Sequence, residues 1–185
     1  MATKKAAATA ATTTKKKVAP AQPKLPFAVE DYVVYPTHGV GQVVGIESAT
    51  VAGFELQFYV IVFENDKMTL RVPVEKAKDS GLRKLSSKEK MQNAMSTLKG
   101  RARSKRTMWS RRAQEYEAKI NSGDPVSIAE VVRDLHRASG QPDQSYSERQ
   151  MYEAALERLA HELALVEKID QQTAAKRLES MLKVA

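Results

Sequence analysis

The stretch RARSKRTMWSRR, residues 101–112, contains the residue types best suited to a chemical task. Six arginines and lysines stand in this stretch without an acid, and the only tryptophan of the chain, Trp109, lies among them. Arginine and lysine bind phosphate oxygens, and an aromatic ring can stack on a nucleobase. This combination favours the binding of a nucleic acid.

Hydrophobic spacing predicts that the basic segment leads into a helix over residues 107–121, in which Trp109, Ala113, Tyr116 and Ile120 form one stripe. Such a stripe alone is typical of a tryptophan in a core. Cations at a helix N-terminus are unfavourable by about 0.3–1 kcal/mol each, because the macrodipole already makes that end positive. A phosphate bound there would make the same charges favourable. A core role and a DNA-contacting role for Trp109 therefore both remain open on the pattern alone.

The sequence gives no support for an enzyme. It has no cysteine and only three histidines, which excludes thiol nucleophiles, disulfides and cysteine metal sites. His161 and Glu162 begin like a zinc-protease motif, but Leu165 stands where the second histidine is needed. The turn HGVG at 38–41 lacks the other glycine and the lysine of a phosphate-binding loop. We expect no catalysis, metal, cofactor or small-molecule substrate.

Charge and length indicate a soluble protein with an anionic partner. The chain has 185 residues, enough for one or two small domains, and a net charge of +8 that nucleic acid, an acidic protein face or a membrane surface could neutralise. No apolar run approaches the roughly 18 residues of a membrane span, and the start lacks the apolar region of a signal peptide. We expect a cytoplasmic, nucleoid-associated monomer without a membrane partner.

Residues 1–26 are predicted to be a disordered basic tail. They consist mainly of Ala, Thr, Lys and Pro, with six lysines and no acid. Such a segment has too little apolar surface to offset the entropy lost on ordering. Its lysines suit loose phosphate contacts, but a solvated leader without a specific role is an equally good interpretation.

Residues 27–80 have the alternating pattern of short β-strands. The turn ENDK joins FELQFYVIVF to MTLRVP, and in the latter strand Arg71 lies on the face opposite Met68, Leu70 and Val72. Four or five short antiparallel strands in so few residues predict a small, bent, SH3-like sheet. The eight acids of this segment outnumber its four bases, which favours a protein ligand for this domain.

Residues 81–185 change to helical periodicity and predict a compact bundle of four or five helices. Three helix starts can be recognised: a capping box of Ser86 with Glu89, Asp124 followed by Pro125, and a second capping box of Ser145 with Glu148. The predicted fold class is α+β, with a small antiparallel β domain followed by an all-α domain.

Five blocks of the chain resemble the CarD family of bacterial RNA polymerase-binding transcription regulators. They occur in the family's order and together cover roughly residues 27–168. WSRR and AEVVRDL are the most specific parts. The blocks are DYVVYPTHGVG (31–41), LRVPVEKAKDSGLR (70–83), MWSRR (108–112), SGDPVSIAEVVRDL (122–135) and LAHELALVEK (159–168).

The resemblance implies a Tudor-like N-terminal domain that docks on the polymerase β subunit and is related to the polymerase-interaction domain of transcription-repair coupling factor. Arg71 matches a polymerase-contacting arginine in that domain; without the resemblance it would be an ordinary exposed strand residue. Some members have an arginine after the IE of the second β segment. This chain has Ala49 there, so that contact is not carried over.

The resemblance also implies a C-terminal domain that contacts promoter DNA with low sequence preference. Trp109 would wedge into the minor groove at the upstream edge of the transcription bubble and slow its collapse. Arg111 and Arg112 would hold phosphates beside it, with Arg106 just before it in the chain. Arg149 matches a further basic DNA-contacting position, although a lone basic residue at a helix start is often only solvated.

One alternative function remains open from the sequence. The protein could be a general nucleic-acid or nucleoid-binding protein that acts without polymerase. Such a protein would bind DNA or RNA tightly on its own, and the affinity would fall steeply with salt because phosphate contacts release counterions.

Overall fold

The computed structural model describes residues 25–51, 53–102, 107–137 and 144–183. Within these residues, five β-strands are followed by five α-helices, which confirms the predicted α+β class. Most of the predicted disordered tail, 1–26, lies outside the described residues. Of its last two residues, Leu25 packs against the core of the sheet.

The strands form one antiparallel sheet in the order β4-β3-β2-β1-β5. They are β1 (Tyr32–Tyr35), β2 (Gly39–Val51), β3 (Phe54–Phe63), β4 (Met68–Pro73) and β5 (Arg83–Lys84). β2 extends to Val51, because its second half pairs with β3 as far as Val51 opposite Phe54. The short β5 adds to β1 and continues the sheet past residue 80.

One face of the sheet carries the core of the first domain. Val43, Tyr59, Ile61 and Phe63 are almost completely buried there. The predicted alternation of β4 is confirmed, since its apolar residues pack toward this core while Arg71 is exposed. Burial of such side chains contributes about 1.5–3 kcal/mol each relative to exposure.

Gly41 is required where β1, β2 and β3 approach closely. A Cβ atom there would lie 2.7 Å from a side-chain carbon of Ile61 and 2.8 Å from the ring of Phe63. Contacts this short cannot be accommodated between well-packed core residues without displacing them. The glycine therefore lets two core side chains lie directly over the β2 backbone.

The helices follow the sheet in the chain and form a bundle. They are α1 (Lys88–Leu98), α2 (Trp109–Asn121), α3 (Pro125–Leu135), α4 (Tyr146–Glu167) and α5 (Gln171–Lys183). Their apolar stripes meet in one core, to which each helix contributes. Among the described residues, no helix is both long and apolar enough to cross a membrane.

Two of the three predicted caps are confirmed, and one is wrong by a residue. Asp124 caps α3, and Ser145 forms a capping box with Glu148 on α4. α1 is capped by Ser87, which accepts a hydrogen bond from Lys90 N, and not by Ser86. Ser86 is engaged elsewhere, because its hydroxyl accepts a hydrogen bond from Arg83 and its amide donates to Glu162.

The two domains meet through buried polar contacts that centre on Glu162 of α4. Its side chain is 3% exposed, and its carboxylate accepts hydrogen bonds from the Arg83 guanidinium at 2.8 and 3.0 Å. Arg158, one turn earlier on α4, donates to the backbone oxygens of Pro36 and Thr37 in the β1–β2 turn. Since each arginine crosses between sheet and bundle, the helical domain is held in a defined orientation on the sheet.

Candidate nucleic-acid interface

Helix α2 begins without the side-chain cap that starts α1, α3 and α4. Its N-cap residue is Met108, which makes no capping hydrogen bond, and the first turn contains no acid. In the part of the chain that the structure describes, no N-cap side chain satisfies the N–H groups at this helix start. Their partial positive charge adds to that of the surrounding arginines, so the helix start is suited to an anion.

Trp109 is the first residue of α2 and lies between core and solvent. Tyr116 and Ile120, further along the predicted stripe, are buried, whereas Trp109 is only partly buried and packs against the helical core. The guanidinium carbon of Arg112 lies 5.4 Å from the centroid of the indole ring, within the range of a cation–π contact. Tyr116 and Ile120 of the predicted stripe are therefore buried and Trp109 is partly buried, while a DNA-contacting role for Trp109 stays a prediction.

Arg112 is held from the other side by helix α4. Its Nη2 atom lies 3.6 Å from Oε1 of Glu148, and Nη2 of Arg137 lies 3.9 Å from the same oxygen. The other carboxylate oxygen of Glu148 accepts the backbone N–H of Ser145 at 3.1 Å in the capping box. One acid thus joins the starts of α2 and α4.

Five exposed or partly buried residues stand at the starts of these two helices, and we term this group the basic aromatic face: Met108, Trp109, Arg111, Tyr146 and Arg149. Arg111 and Arg149, both predicted DNA contacts, are exposed. Met108 and Tyr146 are 80% and 76% exposed, unusually high for large apolar residues. The predicted contact Arg106 lies outside the described residues.

Sequence reasoning missed several residues of this region. It recognised Glu148 only as a helix cap and did not single out Arg137, Met108 or Tyr146. Their positions could have indicated that Met108 and Tyr146 are exposed. Both stand next to predicted helix starts, where a large side chain lies at the end of a helix and outside its packed stripe.

Arg71, the predicted polymerase contact, lies in the other domain on the edge strand β4. Its Nε donates to a carboxylate oxygen of Glu47 at 3.0 Å, and the two side chains are 67% and 53% exposed. An exposed pair of this kind contributes about 0–1 kcal/mol to stability, so the fold does not depend on it. In the described part of the chain, no group of three or more His, Asp or Glu side chains could hold a metal ion.

Comparisons with known proteins match both domains. The model of the CarD-like/TRCF RID domain matches residues 27–86, and that of the CarD C-terminal domain matches residues 93–179. The chain is also 30% identical over 143 residues to the Bacillus subtilis (strain 168) protein named "Putative transcription factor YdeB", an alignment that covers 77% of this chain and 94% of that protein.

The sheet, the bundle and these matches define a two-domain transcription regulator, a class distinct from enzymes. The chain belongs to the CarD family, as the resemblance of its sequence blocks predicted.

Proposed function

We propose that the protein binds the β subunit of RNA polymerase through its first domain and promoter DNA through the basic aromatic face, and thereby stabilises the open complex. The polymerase half is supported by the match of residues 27–86 to the CarD-like/TRCF RID domain. Arg71 is the proposed contact, because it is exposed on a strand with a single neighbour in the sheet. An edge strand of this kind is open to a partner chain.

The DNA half is carried by one observation: the only tryptophan lies partly exposed at an uncapped helix start surrounded by arginines. Arg111 and Arg149 are exposed and are the proposed phosphate contacts, with Arg106 of the preceding segment as a further one. Arg112 was also predicted to contact phosphate, and its guanidinium lies beside the Trp109 ring.

The energetics favour a wedge at a bubble edge over a wedge in intact duplex. Unstacking a base step costs a few kcal/mol, which is smallest where pairs are already open or strained. Stacking of a base on an aromatic ring returns roughly 1–3 kcal/mol. Docking on polymerase raises the local concentration of the wedge at the promoter, so weak DNA affinity is sufficient.

The direct test is the lifetime of open complexes formed by purified polymerase, with and without the protein. Wild-type protein is expected to lengthen the lifetime. Stabilising the open complex by about 1.4 kcal/mol would lengthen it tenfold if the transition state for collapse is unaffected. W109A and W109L should abolish the effect while the protein still folds and binds polymerase. W109L is the matched variant, because leucine retains apolar packing on the core but lacks the flat ring.

Two outcomes would contradict the proposal. A large fall in melting temperature for both variants, with the lifetime effect retained, would make Trp109 a core residue. No lifetime effect of the wild-type protein would instead favour the general nucleic-acid binder, whose signature is tight, salt-sensitive binding by the isolated protein.

A further inference from the structure

We infer that Glu148 is a positioning residue for Trp109 and acts through Arg112. In this assignment Arg112 holds the indole ring and is not a phosphate contact. The inference rests on the proposed function only in that the ring is taken to be the DNA wedge.

The first support is that the two carboxylate oxygens of Glu148 have different partners. Oε2 accepts the Ser145 N–H and closes the capping box, while Oε1 is the ion-pair partner of Arg112 and Arg137. A capping box works with Gln as well as Glu at this position. The capping hydrogen bond therefore does not require the negative charge, whereas the ion pairs with the two arginines do.

The second support is burial. The side chains of Glu148 and Arg112 are 12% and 20% exposed, and the Nε atom of Arg112 is buried without a hydrogen-bond partner among the described residues. By contrast Arg111, the preceding residue on α2, is exposed. A guanidinium enclosed between a carboxylate and an indole ring has little surface left for a phosphate.

The third support is that a side chain inserted into DNA binds better when it is already ordered. A tryptophan that is free to change rotamer loses side-chain entropy when it enters a groove, and prior ordering removes that cost. The planar guanidinium of Arg112 lies within cation–π range of the indole, and Glu148 fixes that guanidinium from α4. Two guanidinium groups share one carboxylate, so the cluster keeps a net positive charge next to the DNA face.

The experiment compares E148Q with E153Q in the full chain. Both variants remove one negative charge from α4, but Glu153 is an exposed residue that is not one of the residues of the basic aromatic face. Because Trp109 is the only tryptophan, acrylamide quenching of its fluorescence reports on this ring alone. E148Q should retain the cap and the fold, raise the quenching constant and shift the emission to the red. E153Q should leave both unchanged.

The same variants are then measured in the open-complex assay. E148Q is expected to shorten the lifetime by about two- to fivefold relative to E153Q, the range for the loss of one partly exposed ion pair. A second pair of variants, R112K and R111K, keeps the charge of each residue. R112K should raise quenching and shorten the lifetime more than R111K does. Lysine puts a point charge in place of the planar guanidinium, so it holds the ring less well, but it still binds phosphate.

The outcomes separate this inference from the proposed function. Equal quenching of E148Q and E153Q, or a longer lifetime for E148Q, would overturn the positioning role even if W109A abolishes the lifetime effect. The positioning role would also be overturned if R112K and R111K gave the same quenching constant and the same open-complex lifetime. If W109A leaves the lifetime unchanged, the proposed function fails, and the quenching comparison still decides whether Glu148 holds the ring.

Discussion

Arg71 pairs with Glu47, and its side chain is 67% exposed, so its charge is available to a partner. Charge pairs at protein interfaces couple by about 1.5 kcal/mol or more, and 1.4 kcal/mol corresponds to tenfold in affinity. We therefore predict that R71E weakens binding of the purified β subunit by about tenfold or more. The melting temperature should change little, because the lost ion pair is exposed. DNA binding by the helical domain should be retained.

The matched control is K76E, which makes the same charge change at another exposed residue of the first domain, in the short 3-10 helix Val74–Lys76. K76E should bind the β subunit nearly as wild type does. Equal weakening by both variants would indicate a general charge effect, and unchanged capture of the β subunit by R71E would make Arg71 an ordinary strand residue.

At the scale of single residues, the sequence could predict which side chains have suitable chemistry but not what they touch. The stripe that begins at Trp109 correctly predicted the buried Tyr116 and Ile120. The capping box correctly assigned one role to Glu148. Its contact with Arg112 depends on how α2 and α4 approach each other, and no local spacing rule reports a contact between distant segments.

At the scale of elements, the start of α3 is fixed by Asp124. Its carboxylate accepts hydrogen bonds from the backbone N–H and the hydroxyl of Ser127, both at 3.0 Å, and pairs with Lys90 of α1 at 2.7 Å. We predict that D124A lowers the free energy of unfolding by about 0.5–2 kcal/mol, the range for a lost N-cap. In denaturant unfolding, D124N should recover most of the free energy that the N-cap contributes, because asparagine caps as well as aspartate.

The same residue gives a pH-dependent prediction. Burial acts to raise the pKa of Asp124, but hydrogen bonds from Lys90 and Ser127 and the charge of Lys90 hold that pKa below its ordinary value of 3.8. The unfolded chain therefore takes up the proton at a higher pH than the folded protein does. The stabilisation that the ionised Asp124 carboxylate contributes is complete above the unfolded-state pKa, and it is lost as the pH falls through the folded-state pKa.

D124N cannot titrate, so its deficit in unfolding free energy relative to wild type should be constant near neutral pH. The deficit should shrink as the pH falls below about 4. Urea unfolding of both proteins across this pH range measures the deficit. A deficit that stays constant or grows at low pH would contradict the lowered pKa of Asp124.

Element boundaries were predicted well where one local signal dominates and poorly where tertiary contacts compete. β3 and β4 coincide with FELQFYVIVF and MTLRVP, since turn residues bound them on both sides. α1 starts one residue later than the capping pattern of Ser86 and Glu89 indicates. Ser86 and Ser87 have equal intrinsic capping ability, and the choice is decided by Arg83 and Glu162, which engage Ser86.

At the scale of the whole molecule, a buried ion pair links the domains. A charged residue on an otherwise apolar helix face is difficult to interpret from sequence alone, because its partner comes from another element. Arg83 supplies that partner from β5, and it also donates to the backbone oxygen of Gly123 at the end of α2. The sequence could therefore predict a small β-sheet followed by a helical bundle, but not the way in which the two are joined.

We predict that R83M lowers the free energy of unfolding by about 3–5 kcal/mol, because the carboxylate of Glu162 would remain buried without its cation. The double variant R83M/E162Q should recover a substantial part of that loss, since a neutral amide replaces the unpaired charge. The control is R177M, which removes a more exposed pair between Arg177 and Glu167 and should cost less than about 1 kcal/mol. Denaturant unfolding of wild type, R83M, E162Q, R83M/E162Q and R177M measures each difference. If R83M costs no more than R177M, or if the double variant is as unstable as the sum of its single changes, the Arg83–Glu162 pair does not hold the two domains together.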